Sequence, residues 1–425
     1  MKVFIRPDTA YYNIVKYVLR IMEKNIGSSF ALCRTPQEAD MCWDHKNPSS
    51  QPLALEFYES LQQEDEEISK KYFREVPGIF SDNHEKDAIA SIFFMINCLQ
   101  EYKAPNEQFD RFGRYKYESS YQNRFQIIQQ NLVQQEIDAM SERLNLKSSR
   151  TDSNFFISHD IDTIYGSFMQ DGFWALKNLN IGVIFNLLMY ELAGKPHWRN
   201  IDRIIKINSE YDVRSTFFWL VNQGPGLHQV MNADYRIKQE QDLLQKVASA
   251  GFTNGLHKSS SEHSIDEELE MTGLENCNWN RYHFLKFKSH VDWRKISDSK
   301  LDFDASLGFA EHYGFRNSYG KAFQPFDIQS GKPYNFIEAP LNFMDGTFHK
   351  YMNLPRNGVA RIIIDFFEKN KFNCNFSLLW HNTYFTDYKY HTFLSEYKKV
   401  MGYIYENKIQ CVTPDELIKS NVLTW

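Results

Sequence analysis

The chain has 425 residues, with 48 Lys and Arg against 54 Asp and Glu, so its formal net charge of −6 leaves no overall basic footprint for nucleic acid. No stretch approaches about 18 uninterrupted apolar residues, which argues against a membrane-spanning helix. Six scattered cysteines lack CxxC or framework spacing and the opening segment lacks the order of a secretory leader, so a reduced, cytoplasmic setting is expected.

Residues 1–145 read as mainly helical and polar. After the Arg6-Pro7-Asp8 turn, Ile14, Val15, Val18, Leu19 and Met22 recur at helical spacing. The run from Asp87 to Leu99 predicts a well-buried helix, and Phe125 to Leu144 predicts another. Between them, Phe109 to Tyr115 is a loop dense in rings and charges. The polar stretch from Leu146 to Ser153 reads as a linker, which sets the expected domains at 1–148 and 149–425.

Beyond residue 153, short apolar runs alternate with helical stretches. The runs lie at 155–157, 215–220, 252–256, 303–309, 335–339 and 375–380, closing with Gln410-Cys-Val; helices are expected from Ile201 to Tyr211 and Gln239 to Ala250. That alternation predicts a parallel sheet, open or closed into a barrel. In a barrel, chemistry collects at the carboxyl ends of the strands.

The first run ends in Ser-His-Asp-Ile-Asp. On a strand, residues i and i+2 share a side, so Asp160 and Asp162 should project together while His159 faces away. Two adjacent carboxylates repel unless a cation or shared proton relieves them. One acid holding a cation while the other accepts a proton would meet that need; a helix cap is the structural alternative. His257 follows the third run and His381 the sixth, also at expected strand ends. His381 sits behind Leu378-Leu379-Trp380 and is a candidate acid, since imidazole titrates near neutrality.

Taken in order, Ser-His-Asp-Ile-Asp, Gly-Leu-His-Lys-Ser, Arg-Tyr-His-Phe at 281–284, Asp304-Ala-Ser-Leu-Gly-Phe, Gly314-Phe-Arg and Leu-Trp-His resemble the motifs of polysaccharide deacetylases with the NodB homology domain. The resemblance covers roughly 150–425. It is nearest a subgroup whose deacetylase domain follows an N-terminal domain of unassigned role. It implies a distorted (β/α) barrel of NodB type preceded by a mainly helical or α/β N-terminal domain. It also implies removal of N-acetyl groups from an N-acetylated saccharide, in making or modifying a cell-surface polysaccharide, with a divalent metal: zinc first, cobalt or nickel as alternatives.

Carried onto this sequence, Asp160 is the base and Asp162 and His257 are metal ligands. Arg281 braces the base, the backbone N–H near Phe284 is an oxyanion donor, and His381 protonates the leaving amine. The sequence departs from the family at the second motif, where the histidine four residues on is replaced by Ser261 and the next histidine is His263. Six residues along a helix lie about 240° round, so His263 reaches the ion only from an irregular loop. Failing that, another side chain substitutes, or the barrel is an impaired, carbohydrate-binding scaffold, since catalytic zinc normally keeps three protein ligands.

Arg316 is a candidate for substrate hydroxyls or carboxylate, with an internal ion pair as the alternative. Tyr282, His283 and Trp380 are candidates for sugar contacts, with core packing as theirs. Glu338 and Asp345 either line the mouth or cap turns. The oligomeric state is not legible.

Overall fold

A computed structural model describes the chain except for residues 64–67, 147–148, 195 and 275–276, so two residues of the expected linker lie outside the described residues. The N-terminal segment is α/β. Strand β1 (Lys2–Ile5) runs parallel to both β2 (Ala31–Leu32) and β3 (Met41–Trp43), and the helix Tyr12–Ile26 buries the apolar stripe that begins at Ile14. The helix expected over 125–144 is shorter, Leu132–Arg143. Gln126 takes a positive φ, and the Asn131 side chain caps the helix by accepting from Gln134 N at 3.3 Å.

The remaining strands are β4 (Asn154–Ile161), β5 (Ser215–Trp219), β6 (Thr253–Lys258), β7 (Trp279–Tyr282), β8 (Phe303–Asp304), β9 (Phe326–Asp327), β10 (Lys332–Pro333), β11 (Ile337–Glu338), β12 (Leu341–Met344) and β13 (Asn375–Leu379). A small hairpin pairs β9 with β10. Eight others form one wholly parallel sheet, β11-β8-β7-β6-β5-β4-β13-β12. Strands β11 and β12 occupy opposite edges, yet only Ala339 and Pro340 separate them along the chain. The sheet therefore curls until its edges meet, giving a distorted (β/α) barrel with helices on its outside. Among the described residues, no helix is long and apolar enough to cross a membrane.

Strands β7 and β12 lie outside the apolar runs read from sequence, because Trp-Asn-Arg-Tyr carries a polar inner side and Asn342 interrupts Leu-Asn-Phe-Met. The 303–309 run pairs only over two residues, since the Asp304 carboxylate folds the chain back by accepting from Ser306 N at 2.9 Å. Gln410-Cys-Val contributes a single bridge, Phe155 to Cys411, before Thr413 caps the last helix.

Along β4 the side chains alternate as a pleated strand requires. Phe156 joins Phe218, Phe303 and Ile337 inside the barrel, while Phe155 and Ile157 face the helices; each fully buried phenylalanine contributes roughly 1.5–3 kcal/mol. Glycine is required at position 255, where a Cβ would lie 2.6 Å from the Phe218 ring. That ring in turn sits 4.8 Å below the Arg281 guanidinium.

His159 faces outward into a dry network. Its Nδ1–H donates to Trp380 O (2.9 Å), and its Nε2 accepts from Asn208 Nδ2 (3.0 Å), whose amide oxygen accepts from Tyr397 OH (2.6 Å). Burial pushes this imidazole down to about 4, and that of His290 likewise to about 4. An unfolded histidine protonates near 6.5, so stability is full above that pH and is lost as pH falls towards 4. Urea unfolding midpoints should therefore drop between pH 6.5 and 4, each ring accounting for up to about 3 kcal/mol. A midpoint flat across that interval would show that neither ring resists its proton.

Candidate active site and metal centre

Because every strand of the sheet runs the same way, side chains at the carboxyl ends share one rim. Asp160 is the penultimate residue of β4, with Asp162 one residue past the strand on the same side. His257 lies on β6 beside Arg281 of β7, its partner in register. His283 follows β7, where Phe284 and Leu285 both take positive φ and turn the chain sharply. Asp345 and His381 follow β12 and β13.

The distances are short. His257 Nε2 lies 3.5 Å from Asp160 Oδ2 and 3.3 Å from Asp162 Oδ1. His283 Nε2 is 3.8 Å from Asp162 Oδ1, and His381 Nε2 is 3.7 Å from Asp162 Oδ2. One ligand atom each from Asp162, His257 and His283 falls within 4.8 Å of the others. The His257 Nδ1–H donates to Arg281 O at 2.8 Å, so its Nε2 keeps a lone pair facing the acids. Asp162 Oδ1 is buried without a hydrogen-bond partner, as is His283 Nδ1. An oxygen and two imidazoles, with an orphaned carboxylate oxygen between them, suit a divalent ion such as zinc.

Asp160 is held differently. Arg281, fully buried, donates from Nη1 to Asp160 Oδ1 (3.0 Å) and Ser158 Oγ (2.7 Å), and from Nε to Ala305 O (2.9 Å). His381 donates from Nδ1 to Asp345 Oδ1 at 2.7 Å, and its backbone N–H donates to Oδ2 at 2.5 Å. Burial opposes its charge, but Asp345, with Asp162 and Asp160 beyond, raises the imidazole to about 9. Burial likewise opposes ionisation of Asp162, yet the surrounding His283, His257 and His381 hold its carboxyl well below the usual range. His283 is pushed down to about 3, mainly by burial.

Several expected positions are filled otherwise. His263 stays away from the cluster: its side chain is 46% exposed and lies 3.9 Å from Glu267. The reason is local. His257 is on a strand, not a helix, and the chain after Lys258 is a turn whose Ser259 and Ser261 hydroxyls both donate to buried Glu268 at 2.6 Å. The i+4 spacing thus has no meaning there, and it is His283, in the turn after the next strand, that stands beside Asp162. Arg316 does not reach the pocket; it forms the internal pair, donating from Nε and Nη2 to Glu101 at 2.9 and 2.7 Å, both side chains 1% exposed. Trp380 is wholly buried against Phe393 and Tyr397. Tyr282 lines a groove next to the rim, and Glu338 is buried, accepting from Trp293 Nε1 and Leu307 N.

A pocket of about 140 Å³ lies over Asp160, Asp162 and His381, and a groove of about 660 Å³ leads away from it; His283 lines both. The N-terminal loop supplies part of the wall. Arg114 Nη1 donates to Phe284 O (3.0 Å) and Tyr351 OH (3.1 Å), and Phe112 stacks on Phe284 with ring centres 5.8 Å apart.

Residues 4–149 match the model of a family of unknown function, DUF7033. Curated proteins give no match. Among solved structures, the chain is similar to a Mycobacterium smegmatis protein assigned to the polysaccharide deacetylases, at 13% identity and TM-score 0.40, over 65% of this chain and 96% of that one. It is also similar to the peptidoglycan deacetylase PdaC of Bacillus subtilis (11%, TM-score 0.28, 64% and 92% covered). A third is a CE4-family pseudoenzyme of Bacillus anthracis (12%, TM-score 0.30, 65% and 70% covered).

The ligand set is open to direct test. Zinc titration should show affinity falling at least about 100-fold in Asp162→Ala, His257→Ala and His283→Ala, beyond the 10–100-fold typical of losing an outer partner. His263→Ala should bind as wild type does. Undiminished binding by His283→Ala would remove it from the set.

Proposed function

We propose that the protein is a metal-dependent hydrolase that removes N-acetyl groups from an N-acetylated saccharide, in building or modifying a cell-surface polysaccharide. The observation that carries this reading is the convergence of Asp162, His257 and His283 with an Arg-braced carboxylate, Asp160, and an Asp-supported imidazole, His381, on one rim.

Asp162, His257 and His283 would hold the ion, which when bound polarises an amide carbonyl and acidifies water. Asp160 accepts the proton of the attacking water. Arg281 keeps that carboxylate aimed while Ser158 fixes the guanidinium. His381 delivers a proton to the amide nitrogen, without which the amine is a poor leaving group. Asp345 holds the His381 Nδ1–H and favours the imidazolium, so the acidic proton sits on Nε2, facing the acids. Positioned groups of this kind typically contribute about 10² to 10⁴-fold each.

A saccharide suits the groove, whose wall mixes hydroxyls and charges with the rings of Phe112 and Tyr282. The scaffold alternative rested on Ser261 leaving the ion a ligand short; His283 offers the third donor.

Asp160→Asn should abolish acetate release from N-acetylated oligosaccharides while zinc affinity stays within a few-fold of wild type. His381→Ala should cost about 10² to 10⁴-fold in kcat, and Asp345→Asn a smaller part of that. Release that survives Asp160→Asn would sink the assignment of the base.

The same reading gives the N-terminal loop a part in substrate binding. Phe112→Ala and Arg114→Ala should raise KM for longer saccharides with zinc affinity unchanged. Equal KM values for short and long substrates in both variants would detach the loop from the groove.

A further inference from the structure

Between β4 and the helix Ile201–Glu210 the chain makes a hairpin of two helices, Ser167–Lys177 and Ile181–Leu192. Its inner side is fixed to the body. Ser167, Ala175 and Leu187 are buried, and buried Asp171 accepts from Tyr388 OH (2.7 Å) and Lys389 Nζ (3.0 Å). Its outer side is apolar. Met169, Phe173 and Leu176 on the first helix, Ile181, Phe185, Leu188 and Leu192 on the second, and Leu179 at the tip are 41–84% exposed.

Three features point to one occupant. The outer residues recur at steps of four and three on the first helix and four, three and four on the second, the seam by which helices interlock knobs into holes. At roughly 150 Å² per large apolar side chain, these eight leave roughly 800 Å² of apolar surface in water. That exceeds the few hundred Å² usual for the largest patch on a monomer, and equals about one partner's share of a stable interface, ~800 Å². The charges fit as well. Beyond Asp171 the hairpin holds only Lys177, at the tip end, and Glu191, at the base end, and neither has an ion-pair partner among the described residues.

We propose that two copies of this chain associate through these hairpins, tip against base, as an antiparallel four-helix bundle. A twofold axis then sets Lys177 of one copy level with Glu191 of the other, twice, flanking the apolar seam. A membrane surface fits less well. Helices that lie on bilayers carry an excess of Lys and Arg on their polar side, whereas here the exposed charges, Lys177 and Glu191, cancel.

Sedimentation velocity of the full chain over a wide concentration range, paired with flotation on phosphatidylcholine–phosphatidylglycerol vesicles, tests this. Wild type should sediment as a dimer and leave the vesicles unbound. Phe185→Asp with Leu188→Asp should raise the dimer Kd at least tenfold with an unchanged circular dichroism spectrum, since both side chains are exposed. Lys177→Glu and Glu191→Lys should each weaken the dimer several-fold, and the double reversal should restore it. A monomeric wild type overturns the proposal, and vesicle binding lost in the Phe185/Leu188 variant would give the face to a bilayer instead. A dimer indifferent to both sets of variants overturns it too.

Discussion

Two carboxylates projecting from the same side of one strand cannot both stay charged in a buried rim without compensation, and the organisation of the site follows from that electrostatic demand. Asp160 is answered by a fixed cation: Arg281 reaches it across the barrel interior, propped from below by Phe218 and locked by Ser158 and Ala305. Asp162 has no such partner; three imidazoles surround it instead. The two acids differ in what faces them. One is paired with a fixed guanidinium, while the other has an oxygen with no hydrogen-bond partner.

The N-terminal segment is part of the same body. Its core is continuous with that of the barrel. The Glu101–Arg316 pair at its heart is bidentate and dry, with Ser289 Oγ and Gly308 O taking the remaining positions. Removing one partner of such a pair typically costs 3–5 kcal/mol, because the other charge is left buried and alone. Beyond that junction, the loop carrying Phe112 and Arg114 contacts the turn at Phe284.

How far the sequence discloses this depends on local geometry. The pair Asp160 and Asp162 is legible because an apolar run announces a strand and period two does the rest. The same period relates Arg281 to His283, but Trp-Asn-Arg-Tyr lacks the apolar run that would announce β7, so His283 reads as a sugar contact. Asp345 follows a strand as His381 does, but Asn342 interrupts the apolar run of Leu341–Met344 that would announce it. The reading of His263 misleads for the opposite reason, since helical spacing is applied where a strand passes into a serine-rich turn. The Arg316–Glu101 pair spans 215 residues, and no local pattern encodes a partner that distant. The parallel sheet was legible from its alternating rhythm; its closure into a barrel was given only by the family resemblance, being a matter of which edges the short link joins.

That link has a consequence for how the protein is made. From β4 to β8, and on to β11, each new strand of the barrel adds to the free edge left by its predecessor, as the chain emerges. Crossing Ala339 and Pro340, the chain places β12 at the far edge with an empty lane beside it, and β13 has to enter between β12 and β4. Until residues 375–379 leave the ribosome, β4 therefore presents an unpaired edge, and the two acids at its end stand beside an open slot. Exposed strand edges invite pairing with other chains. The nascent barrel thus keeps this edge open until its last strand arrives, when the rest of the sheet is already in place.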